Sequence, residues 1–400
     1  MVPDSSEGDD GLPEGLLERL LARAHEQGAT HLHLEPGEKE LRVRMRVDGQ
    51  LRLAEPIASA LYEPLLAHIK REASMDVGER RLPQSGVFSL SLSSTQLVCE
   101  AEVSPGVRGE KVTLVLIEPS RWVERPLSQL GMAPEQLQHL RAALRQRSGL
   151  IVFTGPLFSG KNAVIYSCLH ELRPDNRSMA SIEWGVRGSL PEVHQLVLKP
   201  QLGLDMAAAM RAVLRGDNEV IYLREMIDTE TAELSMRAAL SHGRLVLTTV
   251  HTQHAASVVT RLEDMGFDRW LIARSLLLLQ GQRQVRRLCL RCRQTIKAEP
   301  AVLVAAGLVP GSPLPEVLHV PGGCEYCQGT GYDGRLLICE TLPVTRSLQE
   351  LILSGVAASK LQEAAVGEGM KTMRRIALER VCEGLTSLDE VLLSIPPDAD

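Results

Sequence analysis

The sequence predicts a chain in two parts: a larger α/β part built on a mainly parallel sheet, preceded by a smaller α+β domain. Three observations lead there. From about residue 149, short apolar runs ("GLIVFTG", "SMASIE", "EVIYLRE", "GRLVLTTVH") alternate with helical stretches, the pattern of strands joined by crossover helices. The first run enters a glycine-bearing turn, "GPLFSGKN", and leaves it as a helix, "NAVIYSCLHELRP". Before residue 119 the texture differs. There "THLHLEP" and "LRVRMRVDGQLRL" alternate with period two, and Asp48-Gly49 supplies a hairpin turn.

Taken in order, residues 1–12 are acidic and rich in Pro and Gly, and are expected to be a disordered tail. A helix follows over about 13–28, with Leu16, Leu17, Leu20 and Leu21 at helical spacing and a glycine at its end. After the hairpin, "EPLLAHIKREASMDV" reads as a helix, and "GVFSLSLSS", "QLVCEAEVS" and "EKVTLVLIEP" as strands. This α+β domain is assigned to 13–118, and 119–148 to a linker and a helix, "EQLQHLRAALRQR". The α/β domain is assigned to 149–400. It includes a cysteine-bearing subdomain at about 286–340 and C-terminal helices over 341–396.

Composition sets limits. Four hundred residues favour two or three domains, and 44% hydrophobic residues support a real core. Only 3% are aromatic, so that core is built from Leu, Val, Ile and Ala. A formal charge of −6 argues against binding nucleic acid over the whole surface. The most apolar stretch, "WLIARSLLLLQ", carries Arg274 and is far shorter than the roughly 20 residues of a membrane span. The N-terminus lacks the basic start and apolar run of a signal peptide. The expected location is the cytoplasm, with membrane contact made through partners.

The turn at 155–162 matches G-x-x-x-x-G-K-[ST] at Gly155, Gly160 and Lys161 and departs from it at Asn162. Between a strand and a helix, such a turn aims backbone N–H groups and a helix N-terminus at phosphate oxygens, and the lysine reaches the β/γ-phosphates. Gly155, Ser159, Gly160, Lys161 and Asn162 are therefore the candidate nucleotide-binding residues. The last position normally supplies a hydroxyl to Mg²⁺, and an asparagine carbonyl is a longer, planar and weaker ligand. Phe158 adds bulk to the turn. Glu183, Glu225 and His251 each end an apolar run. Ligands of parallel sheets sit outside the carboxyl ends of the strands, which makes these three the candidate catalytic residues. The plainer readings are a solvated glutamate and a hydrogen-bonded structural histidine.

Four of the eight cysteines stand as Cys289-x2-Cys292 and Cys324-x2-Cys327, a spacing that suits a closed, structural zinc site. The alternative is two redox or free thiol pairs. "RQVRRLCLRCR" carries five arginines in eleven residues. Without interleaved aromatics it reads as a subunit or partner interface, or as a solvated face, before a nucleic-acid site.

These motifs, in this order, resemble the secretion ATPases of type II secretion and type IV pilus assembly, from about residue 13 to 396. "ATHLHLEP", "RVRMRVDG", "ERRLPQSG" and "GEKVTLVLIEP" are similar to that family's first domain. "GLIVFTGPLFSGKNAVIYS" is similar to its Walker A segment, "SIEW" to its acidic box, and "EVIYLREMIDTETAELSMRAAL" to its Walker B region. "GRLVLTTVHTQHAASVVTRLEDMG" is similar to its histidine box, and "RRLCLRC" with "GGCEYCQGTGYDGRLLICE" to its tetracysteine insertion. The resemblance implies a RecA-like P-loop NTPase domain joined to the N-terminal domain. It also implies ATP and Zn²⁺ as cofactors, with Mg²⁺ open. A hexameric ring, of this chain alone or with an active paralogue, and an inner-membrane platform protein as partner follow from it too, with no nucleic acid.

The departures fall on chemistry. The family's Walker A hydroxyl is Asn162, its acidic-box Asp is Trp184, its Walker B Gly is Arg224, and its following Arg is Ile227. One box histidine is Arg244. Two phosphate-reaching arginines of the first domain align with Glu102 and Val115, and an aspartate there with His31. The resemblance, with these changes, implies a subunit that binds ATP with weak or absent hydrolysis. Alternatives are a non-catalytic scaffold working with an active paralogue, and an active motor in which Arg224 and Arg244 restore lost contacts.

Overall fold

The computed structural model describes residues 13–92, 95–119, 125–307 and 315–398. The expected tail, 1–12, lies outside the described residues. The chain divides into two compact units, Met1–Trp122 with Gly185–Ser189, and Val123–Trp184 with Leu190–Asp400.

In the first unit, β1 (Ala29–Pro36), β2 (Glu40–Val47), β3 (Gln50–Leu53), β4 (Ile57–Ala58), β5 (Gln84–Leu92), β6 (Thr95–Ser104) and β7 (Lys111–Ile117) form one antiparallel sheet. Its order is β3-β2-β1-β7-β6-β5, with β4 on β2. The alternation legible in the sequence decides which face is buried. Leu32, Leu34, Val43, Met45, Val112 and Leu114 point to a core closed by Leu17 and Leu21 of helix Pro13–Glu26 and Leu65 and Ile69 of helix Tyr62–Glu72. Asp48 and Gly49 take φ of 48° and 82°, the left-handed pair a two-residue hairpin turn requires.

One ion pair lies inside this unit. Lys70 Nζ donates to Glu110 Oε1 at 2.7 Å and to the Glu79 carbonyl at 2.7 Å, with the two side chains only 1% and 5% exposed. The Tyr62 hydroxyl donates to the Glu110 carbonyl, and burial, then the Glu110 charge, pushes the phenol's pKa upward.

The second unit is a sheet of order β10-β9-β11-β12-β8-β13-β16. Its strands are β8 (Gly149–Thr154), β9 (Met179–Glu183), β10 (Val193–Val197), β11 (Val220–Leu223), β12 (Leu245–Val250), β13 (Leu276–Leu288) and β16 (Tyr332–Pro343), while β14 (Gln294–Lys297) and β15 (Val317–Val320) form a separate ribbon. All neighbours are parallel except β16, which runs antiparallel to β13. Every residue of β8, β9, β11 and β12 is buried, because helices cover both faces. Helices Pro134–Leu144 and Lys161–Leu172 lie on the face of Ile151, Phe153, Tyr222 and Leu247. Helices Met206–Arg215, Thr229–Leu240 and Ser257–Asp264 lie on the face of Val152, Ile182, Ile221 and Val246. The fold is the α/β, RecA-like arrangement expected from the sequence, with a tetracysteine insertion and four closing helices from Arg346 to Ser394.

β13 was not legible as a strand. Its 13 residues join the apolar run "LLLL" to the arginine-rich segment, and the polar half stays in the sheet because its side chains find partners. Arg283 donates to the carbonyls of Gln282 and Gln253, while Arg286 donates its backbone N–H to Glu390 Oε1 and its guanidinium to Glu390 Oε2 and lies over the Tyr332 ring. Arg287 pairs with Asp333, Arg291 lies over the Tyr326 ring, and Arg293 donates to the Gly384 carbonyl. All five arginines of the segment are thus engaged within the chain.

Replacing Lys70 with Met leaves Glu110 charged and buried without its cation. The expected loss is about 3–5 kcal/mol in denaturant unfolding of the first unit, partly recovered when Glu110→Gln is added.

Candidate functional site

The turn between β8 and helix Lys161–Leu172 takes its shape from two glycines. Gly155 has φ 145° and a Cβ there would lie 2.4 Å from the Gln282 carbonyl oxygen; Gly160 has φ 90° and a Cβ there would lie 2.9 Å from Gln284 Nε2. Phe158 also sits in the left-handed region, at φ 63°, and the residue is 54% exposed. Lys161 is buried, and its Nζ donates to the carbonyls of Gly155 and Pro156, each at 2.8 Å. The Ser159 hydroxyl oxygen is buried with no partner among the described residues.

Parallel register brings the other candidates to the same edge. Val250 pairs with Thr154, and Leu223 with Ile182 and Thr248, so Glu183, Glu225 and His251 all lie at or just past carboxyl ends. His251 links two of the elements. Its Nε2 is 2.9 Å from Glu225 Oε1 and its Nδ1 is 3.0 Å from the Gly155 carbonyl. Both partners are acceptors, so a ring protonated on both nitrogens satisfies both. The His251 hydrogen bond, working against burial and joined by the charges of His251, Lys161 and Arg224, holds the Glu225 carboxyl below its usual range.

Glu183 enters from the other side. It is 1% exposed; Tyr166 of the turn's helix donates to Oε2 at 2.8 Å and Ser181 donates to Oε1 at 2.7 Å. Asn162 is engaged in the same way, its Oδ1 accepting from the Tyr222 hydroxyl at 3.2 Å. The two tyrosine rings meet edge to face, 6.3 Å between centroids. Tyr166, Ser181 and Tyr222 were missed in the sequence. The available signal was a tyrosine inside the buried run "VIYL", because a buried phenol needs a hydrogen-bond partner.

Large apolar side chains are exposed along this edge. Leu157 and Phe158 follow β8, Ile227 follows β11, and Trp184 follows β9. Arg224 stands next to Glu225. Arg244 is at the opposite edge: its carbonyl accepts from Gly149 N at the amino end of β8, the whole length of β12 away from the turn. Of the two arginines considered as replacements, only Arg224 is at the turn's edge in its own chain.

The four cysteines converge. Their sulfurs all lie within 4.8 Å of one another, with separations of 4.0, 3.7 and 3.7 Å for Cys289–Cys324, Cys292–Cys327 and Cys324–Cys327. A tetrahedron with metal–sulfur bonds of about 2.3 Å has edges of about 3.8 Å, so the set fits a zinc-like ion. Backbone N–H groups of Gly323, Cys324 and Gly331 point at Cys292 and Cys327 sulfurs, as thiolates require. Burial raises the Cys327 thiol, but the N–H groups of Cys324 and Gly331 and the neighbouring thiols outweigh it and bring the pKa to about 6.

A RecA-like sheet with a phosphate-type turn at its carboxyl edge defines a P-loop NTPase. Residues 6–393 match the family described as Type II/IV secretion system protein, and the chain belongs to that family. It is 32% identical over 391 residues to the type IV pilus assembly ATPase PilB of Thermus thermophilus, covering 98% of this chain and 44% of that one. It is 35% identical over 392 residues to the type II secretion system protein HxcR of Pseudomonas aeruginosa (98% of this chain, 79% of that one). It is 34% identical over 390 residues to the type II secretion system ATPase E of Vibrio cholerae (97% and 76%). Among solved structures, the ATPase DotB of Legionella pneumophila aligns with a TM-score of 0.69 at 17% identity, covering 97% of each chain. The pilus retraction motor PilT with bound ADP aligns at 0.62 and 21%, covering 94% of this chain and 96% of that one. These two support the fold. Among the described residues, no helix is long and apolar enough to cross a membrane.

Two outcomes follow. In carbon-13 carboxyl titrations, Glu225 should titrate below an ordinary glutamate, and His251→Ala should move it upward. Because its folded pKa is depressed, the stability it contributes is complete above the unfolded value of about 4.3 and drains as pH falls through the folded value. Cys327→Ser should abolish stoichiometric metal in elemental analysis and lower the thermal unfolding temperature of the second unit.

Proposed function

We propose that the chain is a nucleotide-binding subunit of a type II secretion or type IV pilus assembly machine, with slow or absent ATP hydrolysis. One observation carries the reading: the phosphate turn keeps its glycines and buried lysine while the groups that would handle charge during hydrolysis are engaged by their own chain. Both oxygens of Glu183 accept hydroxyls, Asn162 Oδ1 accepts Tyr222, and Glu225 is bound by His251. Glu102 and Val115 at positions where the family carries arginines point the same way, since such arginines contribute about 10³–10⁵ in rate.

In this reading Gly155, Ser159, Gly160, Lys161 and Asn162 hold the phosphates, and Glu183, Glu225 and His251 form a residual catalytic set. A structural zinc on Cys289, Cys292, Cys324 and Cys327 braces the insertion. Bound nucleotide supplies the linkage between subunits of a ring that works, alone or beside an active paralogue, on an inner-membrane platform protein. The exposed Leu157, Phe158, Trp184 and Ile227 favour a second reading, a scaffold subunit whose strand edge is covered by protein and not by nucleotide.

Steady-state phosphate release from metal-loaded, oligomeric protein tests this. Turnover is expected at least about 100-fold below a typical kcat of about 10 s⁻¹. Lys161→Ala should abolish nucleotide binding. Ordinary turnover, lost in Lys161→Ala, would reject the weakened enzyme, and absence of ATP and ADP binding would favour the scaffold.

A further inference from the structure

We propose that Glu340 is a positioning residue that ties the segment carrying His251 to the start of helix Met373–Cys382, so that filling the phosphate turn tightens that helix. The proposal rests on the nucleotide-binding reading above and adds where occupancy of the turn is felt.

Sheet register builds the connection. Thr154 of β8 pairs with Gly281 of β13, and Gly281 pairs with Glu340 of β16, so the three stand in one row across three strands. The row two residues back, Val152, Leu279 and Leu342, packs with Val258 and Leu262 of helix Ser257–Asp264, which fixes the face. The central glycine leaves the space that the glutamate fills. A Cβ on Gly281 would lie 2.8 Å from Glu340 Oε1 and 3.0 Å from Met373 Cε. From there the carboxylate, 1% exposed, divides its oxygens between two elements. Oε1 accepts from Ala255 N at 2.7 Å and Oε2 from Met373 N at 3.1 Å. Met373 is the first residue of its helix, where a carboxylate also meets the positive end of the helix dipole. His254 Nδ1 lies 3.8 Å from Oε1.

The other end of the row reaches the turn. Thr154 Oγ1 accepts from Thr252 N at 2.8 Å, and Thr252 Oγ1 donates to the His254 carbonyl at 2.8 Å. Residues 251–255 are thus pinned at both ends, by His251 on the Gly155 carbonyl and by Ala255 on Glu340. That Gly155 carbonyl is shared, because it accepts from Lys161 Nζ as well as from His251 Nδ1. A phosphate group that draws the ammonium to itself leaves the carbonyl to His251 and strengthens that bond. The segment then loses freedom as far as Ala255. A carboxylate with one oxygen on an ordered donor has fewer arrangements left, which holds its other oxygen in place for Met373 N–H. Glu340 acts only through these groups.

The test is amide hydrogen exchange, read by mass spectrometry on peptides spanning 251–256 and 371–382 of the full, metal-loaded chain, with and without saturating ADP and Mg²⁺. ADP should slow exchange in both peptides by about tenfold, against at most about threefold in helix Met206–Arg215, which shares none of these hydrogen bonds. Glu340→Gln has one accepting oxygen for two N–H groups. Its ADP affinity by calorimetry should stay within about threefold of wild type, while the slowing over 371–382 is lost. A glutamate that only braced the fold would, when replaced, speed exchange there with and without ADP alike and keep their ratio. Thr252→Val leaves Glu340 untouched, removes the Thr252 hydroxyl bonds at the other end, and should also diminish the slowing over 371–382. Wild-type protein that binds ADP with no slowing over 371–382, or the same slowing in both variants as in wild type, overturns the proposal while leaving nucleotide binding intact. No ADP binding by wild type defeats the nucleotide reading itself.

Discussion

Strands buried on both faces govern this molecule. β8, β9, β11 and β12 have no exposed residue, so a polar side chain is costly there unless it stands at a strand's end or has a hydrogen-bond partner. The ends carry Glu183, Glu225 and His251 to one edge. Of the interior exceptions, Ser181 and Tyr222 meet atoms of Glu183 and Asn162, Thr249 donates to the Arg224 carbonyl, and the Thr248 hydroxyl finds no partner among the described residues. Core satisfaction and site chemistry therefore draw on the same groups. A carboxylate whose two oxygens already accept hydroxyls is a good structural element and a poor ligand or base.

The same rule explains the basic segment. Five arginines in eleven residues suggest an outward-facing surface. Folding also distributes them over Glu390, Asp333, two aromatic rings and several carbonyls, so the segment ties β13 to β16 and to the last helices while Arg291 stays exposed. Glu340, 1% exposed on β16, does comparable work by accepting from the backbone N–H groups of Ala255 and Met373, while burial pushes its carboxyl pKa up. In the first unit Lys70 and Glu110 play this part. In each case an ionic group is held by hydrogen bonds on several elements, which makes removal of one partner costly.

Much of the site was legible because its parts are local. The glycines of the turn are needed for positive φ and close backbone approach, and the two Cys-x2-Cys pairs come together as a four-sulfur cluster that could hold a metal ion. Other parts were hidden because they depend on contacts across the sheet. Nothing local links Tyr222 to Asn162, 60 residues apart, or the two halves of β13, whose polar half matches no buried-strand pattern.

By itself the sequence determined the alternation of strands and helices, the glycine-bearing turn, the paired cysteines and the family, since each is set by residue type and spacing along the chain. Only the tertiary structure decided which hydroxyl Asn162 meets, which carboxylates are already engaged, and on which edge Arg224 and Arg244 stand. Those are matters of direction and of competition for hydrogen bonds, and they exist only once distant strands lie in register.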